Sequence, residues 1–310
     1  MTGASFTSTK PALLAVDWGT TALRGALLTV DGTVLAEHAA PRGLLSVAPG
    51  GWAAAFKAEF GAWRAAHPGV PCLMAGMVGS RQGWAEAAYC PCPAGQPDLA
   101  ARLLWVQPGV AIVPGLAVDE AIDAPDVMRG EETQIFGALR LLSLVDATLV
   151  LPGTHSKWAT VRGGQIIGFA THMTGECYAL FRQHSILART LPAEEVPLVP
   201  EAFDRGVAQA LRPGGLLHHL FSVRSLSLFD RLDGPALASY LSGLVIGEEL
   251  RAQLAAQPHP AGQPLVLVGQ AALTARYQRA LGGLGLQGVA VGSEATWAGL
   301  AALAGTLGTC

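Results

Sequence analysis

Short apolar runs and polar turns alternate near the start of the chain in a pattern that predicts three antiparallel strands. Residues 13–16, 23–30 and 33–37 are strand-like runs. A polar segment, residues 17–21 (the first loop), separates the first two runs, and the Asp–Gly pair at 31–32 favours a two-residue hairpin turn before the third. We therefore expect a meander with a glycine- and threonine-rich loop at its first bend.

A second copy of this layout begins about 135 residues further along the chain. Strand-like runs occupy residues 148–151, 158–161 and 166–171, and a second polar segment, residues 152–157 (the second loop), lies between the first two. A Gly–Gly pair at 163–164 provides the next turn. Two copies of one meander suggest two lobes of similar topology with a cleft between them, although a repeat this short also arises by coincidence.

Segments with the apolar spacing of helices separate and follow the two copies, which predicts a mixed α/β fold. A chain of 310 residues exceeds the size of most single cores, so we expect two domains, residues 1–140 and 141–310. The final helix is free to return to the first domain. The predicted helices cover residues 52–66, 131–144, 236–256, 273–281 and 294–307, and further strands cover 71–77, 110–113 and 265–268.

Composition narrows the class of protein. Hydrophobic residues make up 51% of the chain and charged residues only 14%, against about 25% in an average soluble domain, so the chain can bury large cores. With 20 basic and 23 acidic residues the net charge is −3. This balance argues against a nucleic-acid-binding protein, because such proteins normally carry a basic face.

Several absences suggest a cytoplasmic protein. The N-terminal residues 1–11 lack the apolar core of a signal peptide, and no apolar run approaches the ~18 residues that a membrane span needs. We therefore expect no membrane partner. The cysteines are odd in number and irregularly spaced, which predicts reduced thiols without a metal. They are Cys72, Cys90, Cys92, Cys177 and Cys310.

The first loop carries Asp17, Gly19, Thr20 and Thr21 at the end of a strand. Glycine lets the backbone approach an anion closely, and backbone amides with two hydroxyls can hold phosphate oxygens. A neighbouring carboxylate suits Mg²⁺, which proteins bind through one or two carboxylates together with substrate phosphates and water. The alternative is a plain hairpin in which these side chains satisfy only backbone groups.

The second loop carries Gly153, Thr154, His155 and Lys157. It is not a P-loop, because the GxxxxGK[ST] spacing is absent and no helix follows. Two loops of this type are more specific together than either alone, since a pair could clamp a polyphosphate. For His155 the alternative is a hydrogen bond that only stabilises the loop.

Two adjacent carboxylates, Glu131 and Glu132, begin a predicted helix just after Arg129. The helix dipole alone also explains acidic residues at this position. In the functional interpretation, one glutamate accepts a hydroxyl proton during phosphoryl transfer and the arginine grips an anion. Consecutive helix residues point about 100° apart, so at most one glutamate should face a ligand.

Four further positions could contact a ligand. Ser80 and Arg81 follow a strand, where open α/β sheets tend to bind ligands, although an exposed turn is an equal alternative. Glu176 lies at the polar end of the second meander. Gly269 ends a strand and opens a helix, where the backbone could approach an adenine, but a lone glycine turn is weak evidence.

Together these motifs resemble a known family. Paired glycine- and threonine-rich loops on duplicated meanders are similar to those of the sugar kinase, hexokinase, Hsp70 and actin superfamily. More closely, the motifs resemble the 2-dehydro-3-deoxygalactonokinases of galactonate breakdown and run in order over residues 17–281. They are DWGTTALRG, AGMVGSRQGW, DVMRGEETQ, LPGTHSKW, MTGE and LTARYQRAL.

The resemblance implies an α/β fold of two ribonuclease-H-like, actin-like ATPase lobes around an ATP cleft. It implies ATP-dependent phosphorylation of the 6-hydroxyl of 2-dehydro-3-deoxy-D-galactonate, a keto-deoxy sugar acid. By motif, the first phosphate loop corresponds to Asp17, Gly19, Thr20 and Thr21, the second to Gly153, Thr154 and His155, the adenosine turn to Gly269, and the interlobe carboxylate to Glu131.

On this basis we expect Asp17 to hold Mg²⁺, Lys157 to add positive charge at the phosphates, and Glu131 to orient or deprotonate the attacking hydroxyl. Arg81 or Arg129 would pair with the substrate carboxylate, with Ser80 and Glu176 nearby. Many sugar kinases carry an aspartate in the second loop and a double glycine at the adenosine turn, and this chain has neither. The base therefore stays open among Glu131, Glu132 and Asp17.

Alternative functions remain at this stage. A phosphatase of the same superfamily would use Glu131 to position water. A sugar-sensing regulator would need a DNA-binding segment, and only about a dozen residues precede the first strand. The sequence does not separate galacto from gluco stereochemistry, because one stereocentre is read by individual hydroxyl contacts. It also leaves open the oligomeric state, including a homo-oligomer.

Overall fold

The computed structural model describes residues 10–119, 124–259, 263 and 265–307. The expectations for residues 1–9 and for the Cys310 thiol lie outside these residues. The chain divides into two units: unit 1 is residues 1–147, 159–169 and 291–310, and unit 2 is residues 148–158 and 170–290.

The described residues form both strands and helices. The strands are β1 Leu13–Trp18, β2 Leu23–Leu28, β3 Val34–Ala40, β4 Cys72–Ala75, β5 Cys90–Pro91, β6 Leu104–Gln107, β7 Val110–Ile112, β8 Leu116–Val118, β9 Asp126–Met128, β10 Ala147–Leu151, β11 Ser156–Arg162, β12 Gln165–His172, β13 Leu265–Val268 and β14 Val289–Val291. The helices are α1 Trp52–Ala66, α2 Gln96–Ala100, α3 Glu131–Leu142, α4 Thr174–His184, α5 Pro200–Ala210, α6 Gly215–Leu228, α7 Gly234–Ala256, α8 Ala271–Gly283 and α9 Glu294–Leu307.

The first meander forms one side of a six-stranded sheet with the order β3-β2-β1-β4-β7-β6. Strands β1, β4 and β7 are parallel, and Asp17 is in register with Ala75. Because the carboxyl ends of parallel strands meet at one edge of a sheet, the first loop and the segment after β4 emerge together. The core on this sheet includes Trp18, Phe60 and Met74, which are fully buried.

The turn after β2 corrects one expectation. Thr29 N donates to Thr33 O and Gly32 N donates to Thr29 O, so the connection has three residues, 30–32, rather than two. Gly32 has a φ of 91°, which is the left-handed conformation that favours glycine. The side chain of Asp31 bonds the hydroxyl of Thr29, which stabilises this wider turn.

The second meander belongs to a five-stranded sheet with the order β12-β11-β10-β13-β14. Strand β10 pairs in parallel with β13, with Thr148 opposite Leu265. The sheet thus repeats the arrangement of the first, in which a meander is followed by a parallel neighbour. The apolar runs and turn residues of both meanders predict the six strands, but β11 begins at Ser156, so Ser156 and Lys157 belong to the strand and not to the second loop as predicted.

Helices α5 and α7 cross closely in unit 2. A Cβ on Gly206 would overlap Tyr240 O, and a Cβ on Gly243 would overlap Phe203 O. Gly243 therefore serves close helix packing, as does Gly247, whose added Cβ would lie 3.0 Å from the Cα of Val207. Helix α7 is buried on nearly all sides, so it is the central helix of this unit.

Candidate active site

The first loop is a tight turn held by backbone contacts in unit 1. Gly19 N donates to Ala22 O at 2.9 Å, and Leu44 N donates to Gly19 O at 3.0 Å. The backbone of Gly43 approaches so closely that a Cβ there would overlap Thr20 O. Thr20 itself is exposed, as is the neighbouring Thr21, so both hydroxyls are accessible to a ligand.

Asp17 lies beneath this turn at the end of β1. Its Oδ2 pairs with Arg24 Nη2 at 2.6 Å, and Arg24 also lies over the Trp297 ring, 5.7 Å from the ring centroid. The other oxygen, Oδ1, lies 3.3 Å from where a Cβ on Gly76 would be. Gly76 has a φ of 94° and borders Gly130, whose added Cβ would lie 3.3 Å from the Cα of Gly76. Asp17 and the start of α3 therefore converge on one glycine.

The two glutamates at the start of α3 have different surroundings. Glu132 is completely buried, and its oxygens accept hydrogen bonds from Gly130 N at 2.7 Å and Thr133 Oγ1 at 3.0 Å. Burial, with a smaller contribution from the charge of Glu131, raises the pKa of Glu132 to about 8. Glu131 is only half-buried, and its Oε2 accepts from Arg129 N at 2.9 Å. Of the two, Glu131 is the carboxylate that a ligand can reach.

A cavity of about 510 Å³ opens beside the segment that follows β4. This Arg81 cavity lies in unit 1, and both arginine and tryptophan side chains border it. Arg81 is 86% exposed and pairs weakly with Glu86, Nε to Oε1 3.3 Å, so its guanidinium can turn toward a ligand. The lining residues are Val47, Pro49, Gly50, Trp52, Ala53, Arg81, Gln82, Gly83 and Trp84.

Ser80 and Arg129 lie deeper than Arg81. The Oγ of Ser80 is buried without a hydrogen-bond partner among the described residues. Arg129 donates from Nη2 to Ala87 O at 2.8 Å and lies 4.3 Å from the centroid of the Tyr89 ring, while its Nε and Nη1 are buried without an acceptor in the described part of the chain. Arg129 thus supports the segment that carries Arg81, and Arg81 is the arginine at the cavity.

The second loop, in unit 2, is covered by the start of α4. Glu176 N donates to Thr154 O at 3.0 Å, and Glu176 Oε2 lies 2.5 Å from His155 Nε2. A Cβ on Gly175 would overlap Gly153 O, so only glycine allows α4 to approach this closely. The structure therefore brings three predicted residues of unit 2 together and assigns the glycine of the MTGE motif a packing role.

Gly269 also lies at the second loop. It ends β13 with a φ of 154°, and a Cβ on it would lie 3.6 Å from Pro152 O. Gly153, by contrast, has no neighbour closer than 4.0 Å to its added Cβ, which leaves room above the loop. The predicted adenosine turn and the second loop are thus neighbours.

Lys157 is buried in β11 at 6% exposure, and its Nζ donates to Thr171 Oγ1 at 2.7 Å. Another buried residue of this unit, Glu249 of α7, is not among the residues predicted from the sequence. The carboxylate of Glu249 accepts hydrogen bonds from Ser156 Oγ and Trp158 Nε1, both at 2.8 Å. Its only signal in the sequence is that it is one of two adjacent glutamates in a mostly apolar helix.

Other features of the described residues limit the chemistry. No group of three or more His, Cys, Asp or Glu side chains in the described part could hold a metal ion. The four described cysteines are free. Among the described helices, none is long and apolar enough to cross a membrane.

Comparison with known proteins identifies relatives over almost the entire chain. The family model for 2-keto-3-deoxy-galactonokinase matches residues 17–303. A Rhizobium meliloti (strain 1021) protein assigned as a 2-dehydro-3-deoxygalactonokinase is 37% identical, covering 94% of this chain and 95% of the relative. The 2-dehydro-3-deoxygalactonokinase of Escherichia coli (strain K12) is 36% identical, covering 94% and 97%.

Solved structures agree with the predicted fold class. The crystal structure of a Sinorhizobium meliloti protein assigned as a 2-dehydro-3-deoxygalactonokinase superposes with a TM-score of 0.88 at 35% identity, covering 95% of this chain and 99% of that one. The activator of 2-hydroxyisocaproyl-CoA dehydratase from Clostridium difficile, with bound ADPNP, superposes with a TM-score of 0.51 at 12% identity, covering 96% and 97%. The second likeness concerns the fold alone and confirms its actin-like ATPase type. On the family match and the identity to its relatives, the chain belongs to the 2-keto-3-deoxy-galactonokinase family.

Proposed function

We propose that this protein transfers the γ-phosphoryl group of ATP to the 6-hydroxyl of 2-dehydro-3-deoxy-D-galactonate. The observation that carries the proposal is the family match over residues 17–303, which includes both polar loops. The Escherichia coli relative is itself a 2-dehydro-3-deoxygalactonokinase. A structural neighbour with the same fold holds ADPNP, which supports ATP as the phosphoryl donor.

The residues of both loops fit a nucleotide. In unit 1, Thr20 and Thr21 present exposed hydroxyls on a turn whose backbone is fixed by Gly43. In unit 2, Gly153 leaves open space, and Gly269 lies close enough to Pro152 for one ligand to reach both segments. We assign Gly19, Thr20, Thr21, Gly153, Thr154 and His155 to the phosphates and Gly269 to adenosine, with Lys157 adding positive charge from the strand below.

Mg²⁺ fits Asp17. Proteins bind Mg²⁺ through one or two carboxylates plus phosphates and water, so the absence of a larger acidic cluster in the described residues agrees with this chemistry. Bound Mg²⁺ would neutralise charge on the phosphates during transfer. Arg24, 2.6 Å from Asp17 Oδ2, fixes the carboxylate in one orientation.

Glu131 is our choice for the base. The pKa of Glu132 is raised to about 8, its side chain is buried, and both of its oxygens accept hydrogen bonds, so it cannot reach a substrate hydroxyl. We assign Asp17, which is paired with Arg24, to Mg²⁺ rather than to proton transfer. Glu131 is reachable and lies next to Gly130, which borders the same glycine as Asp17.

The sugar acid fits the Arg81 cavity. A volume of about 510 Å³ lies within the ~300–1,000 Å³ range of small-ligand pockets. Arg81 would pair with the carboxylate of the substrate, and Trp84 and Trp52 would cover its carbon chain. We assign Ser80 and Arg129 to the support of this segment, while Glu176, which pairs with His155, acts at the second loop.

A coupled assay of ATP consumption across a panel of keto-deoxy sugar acids tests the proposal. We expect turnover that depends on the sugar acid and is fastest with the galactonate-derived compound. Phosphate release from ATP at the same rate without any sugar acid would instead indicate a phosphatase. A preference for the gluconate-derived acid would change the named substrate but not the reaction. No turnover with any acid, together with a DNA shift at low salt, would support a regulator.

A further inference from the structure

Glu249 is a buried carboxylate with an unusual number of donors. Its side chain lies inside unit 2 with 3% of the residue exposed. Oε1 accepts hydrogen bonds from Ser156 and Trp158, both at 2.8 Å, and Oε2 accepts from Thr174 and Tyr277, both at 2.5 Å. None of the ion pairs formed by the described residues includes Glu249.

The four donors belong to three segments that meet at the second loop. Ser156 and Trp158 open β11, directly after Thr154 and His155. Thr174 is the first residue of α4, the helix whose Glu176 bonds the loop. Tyr277 lies two turns along α8, which begins two residues after Gly269. One carboxylate therefore links the phosphate segment, its covering helix and the adenosine segment.

Burying a carboxylate in this way contributes little net free energy to folding. A buried carboxylate without a cationic partner has lost its hydration, and apolar residues of similar volume often stabilise a core as well or better. A fully satisfied network does, however, hold its members in one arrangement, because moving any donor leaves a buried polar group unpaired. The network is therefore suited to fixing the positions of the three segments.

The chemistry of the donors determines which atom donates and which accepts in each hydrogen bond. Trp158 offers only an N–H and cannot accept, so Oε1 must remain an acceptor. Burial raises the pKa of Tyr277 well above its ordinary value, and the charge of Glu249 and its hydrogen bond raise it further. The phenol therefore keeps its proton and stays a donor. The orientation of the carboxylate is thus determined from both sides.

We infer that Glu249 is a positioning residue for nucleotide binding, which holds the second loop, α4 and α8 in the arrangement that accepts ATP. The inference rests on the proposed function, since it assigns ATP to the second loop. It predicts that removing a hydrogen bond from the network lowers the affinity for ATP while leaving the affinity for the sugar acid unchanged.

A matched pair of tyrosine variants tests this role. Tyr277→Phe removes one donor to Glu249, and Tyr240→Phe removes a buried hydroxyl that bonds Ser222 at 2.7 Å elsewhere in the same unit. A hydrogen bond to a charged group contributes enough to change affinity about tenfold. We expect Tyr277→Phe to raise the KM for ATP about tenfold with the KM for the sugar acid unchanged. Tyr240→Phe should change neither KM, although both variants lower the thermal midpoint.

Glu249→Gln is the second variant in case Tyr277→Phe does not fold. Its amide oxygen can face Trp158, and the hydroxyls of Thr174 and Tyr277 can rotate to accept from the amide nitrogen, so the packing survives. We expect a higher KM for ATP here as well. If every folded variant keeps a KM for ATP within twofold of wild type, the inference is wrong and the network only stabilises the unit.

A different result would refute the proposed function. If the wild-type protein consumes no ATP with any keto-deoxy sugar acid, the kinase assignment is wrong. Calorimetric titration of wild type, Tyr277→Phe and Tyr240→Phe with ADPNP would still decide the role of Glu249. A tenfold loss of ADPNP affinity in Tyr277→Phe alone would support it, and equal affinities would overturn it.

Discussion

The two polar loops occupy equivalent places in their meanders but are held in different ways. The first loop rests on backbone contacts, with Gly43 and Gly76 packed directly against it, and Asp17 forms its one ion pair with Arg24 in the described part of unit 1. The second loop is held by the side-chain network of Glu249 in addition to backbone contacts with α4, which approaches it at Gly175.

Each region also contains a buried glutamate, and the two differ in donors. Glu132, near the first loop, accepts from one backbone N–H and one hydroxyl beside a second carboxylate. Glu249, near the second loop, accepts from four side chains. The first region keeps reachable carboxylates, which suits proton transfer and metal binding. The second region fixes several segments at once, which suits the binding of a large ligand.

The largest expected effect tests whether the first region carries the chemistry. Glu131→Gln removes the proposed base without changing its size, so kcat should fall by roughly 10²–10⁴-fold, the usual contribution of a general base. The KM for ATP should stay near that of wild type. Steady-state kinetics with the galactonate-derived acid would measure both constants, and a variant with full turnover would remove Glu131 from the mechanism.

Adding one methyl group at Gly175 tests whether the close packing of α4 positions the second loop. Gly175→Ala places a Cβ into Gly153 O and against the Cα of Thr154, so α4 must move away from the second loop. We expect the KM for ATP to rise roughly 10–100-fold and stability to fall by about 1–3 kcal/mol. Kinetics and thermal unfolding would measure these effects.

Gly282→Ala is the matched control for that substitution. It lies on α8 in the same unit, and nothing lies within 4 Å of its added Cβ. The control should retain the KM for ATP and lose no stability. If both glycine variants behave alike, the close packing of α4 does not position the second loop.

The sequence predicts most strands and helices of both regions well, but it does not predict the helices that pack against the second loop. Residues 52–66, 265–268 and 294–307 match α1, β13 and α9 in full, because their apolar spacing is clear and turn residues bound them. Helices α4, α5 and α6 were not predicted. Pro200 and the turn at 213–215 do bound α5 and α6, but the apolar residues of α6 form no single helical stripe. Local patterns thus determine elements only where periodicity and punctuation agree.

Long-range contacts set the rest of the site. The donors of Glu249 lie 28–93 residues away in the chain, so no local pattern links them. The same is true of Gly43, which supports the first loop from more than twenty residues away. By contrast, Asp17, Glu131 and the second loop were identified from the sequence, because chemistry-bearing residues cluster at strand ends and helix starts. Their roles remain proposals.

A smaller effect tests the metal in the first region. Asp17→Asn keeps the shape of the side chain but removes its charge, so the Mg²⁺ concentration for half-maximal activity should rise about tenfold, as expected for the loss of one ionic contact. Asp146→Asn is the control, because Asp146 is exposed and bonds only Gly163 N among the described residues. Activity measured over a Mg²⁺ titration distinguishes them, and identical curves would exclude a metal role for Asp17.

The smallest expected effect concerns the buried glutamate of the first region and the pH dependence of stability. The pKa of Glu132 is about 8 in the folded protein against 4.5 for the free side chain, so the folded state binds the proton more tightly. Stability is therefore fully present below about pH 4.5 and is lost progressively as pH rises from there through 8. Glu132→Gln mimics the protonated form and should remove this loss, as measured by denaturant unfolding at pH 5 and pH 8.5. Glu294→Gln is the control, because Glu294 also accepts a backbone N–H two residues earlier at a helix start but is exposed. A loss between the two pH values that is equal in wild type and Glu132→Gln would mean that another group titrates, and the contrast between the two buried glutamates would then rest on their donors alone.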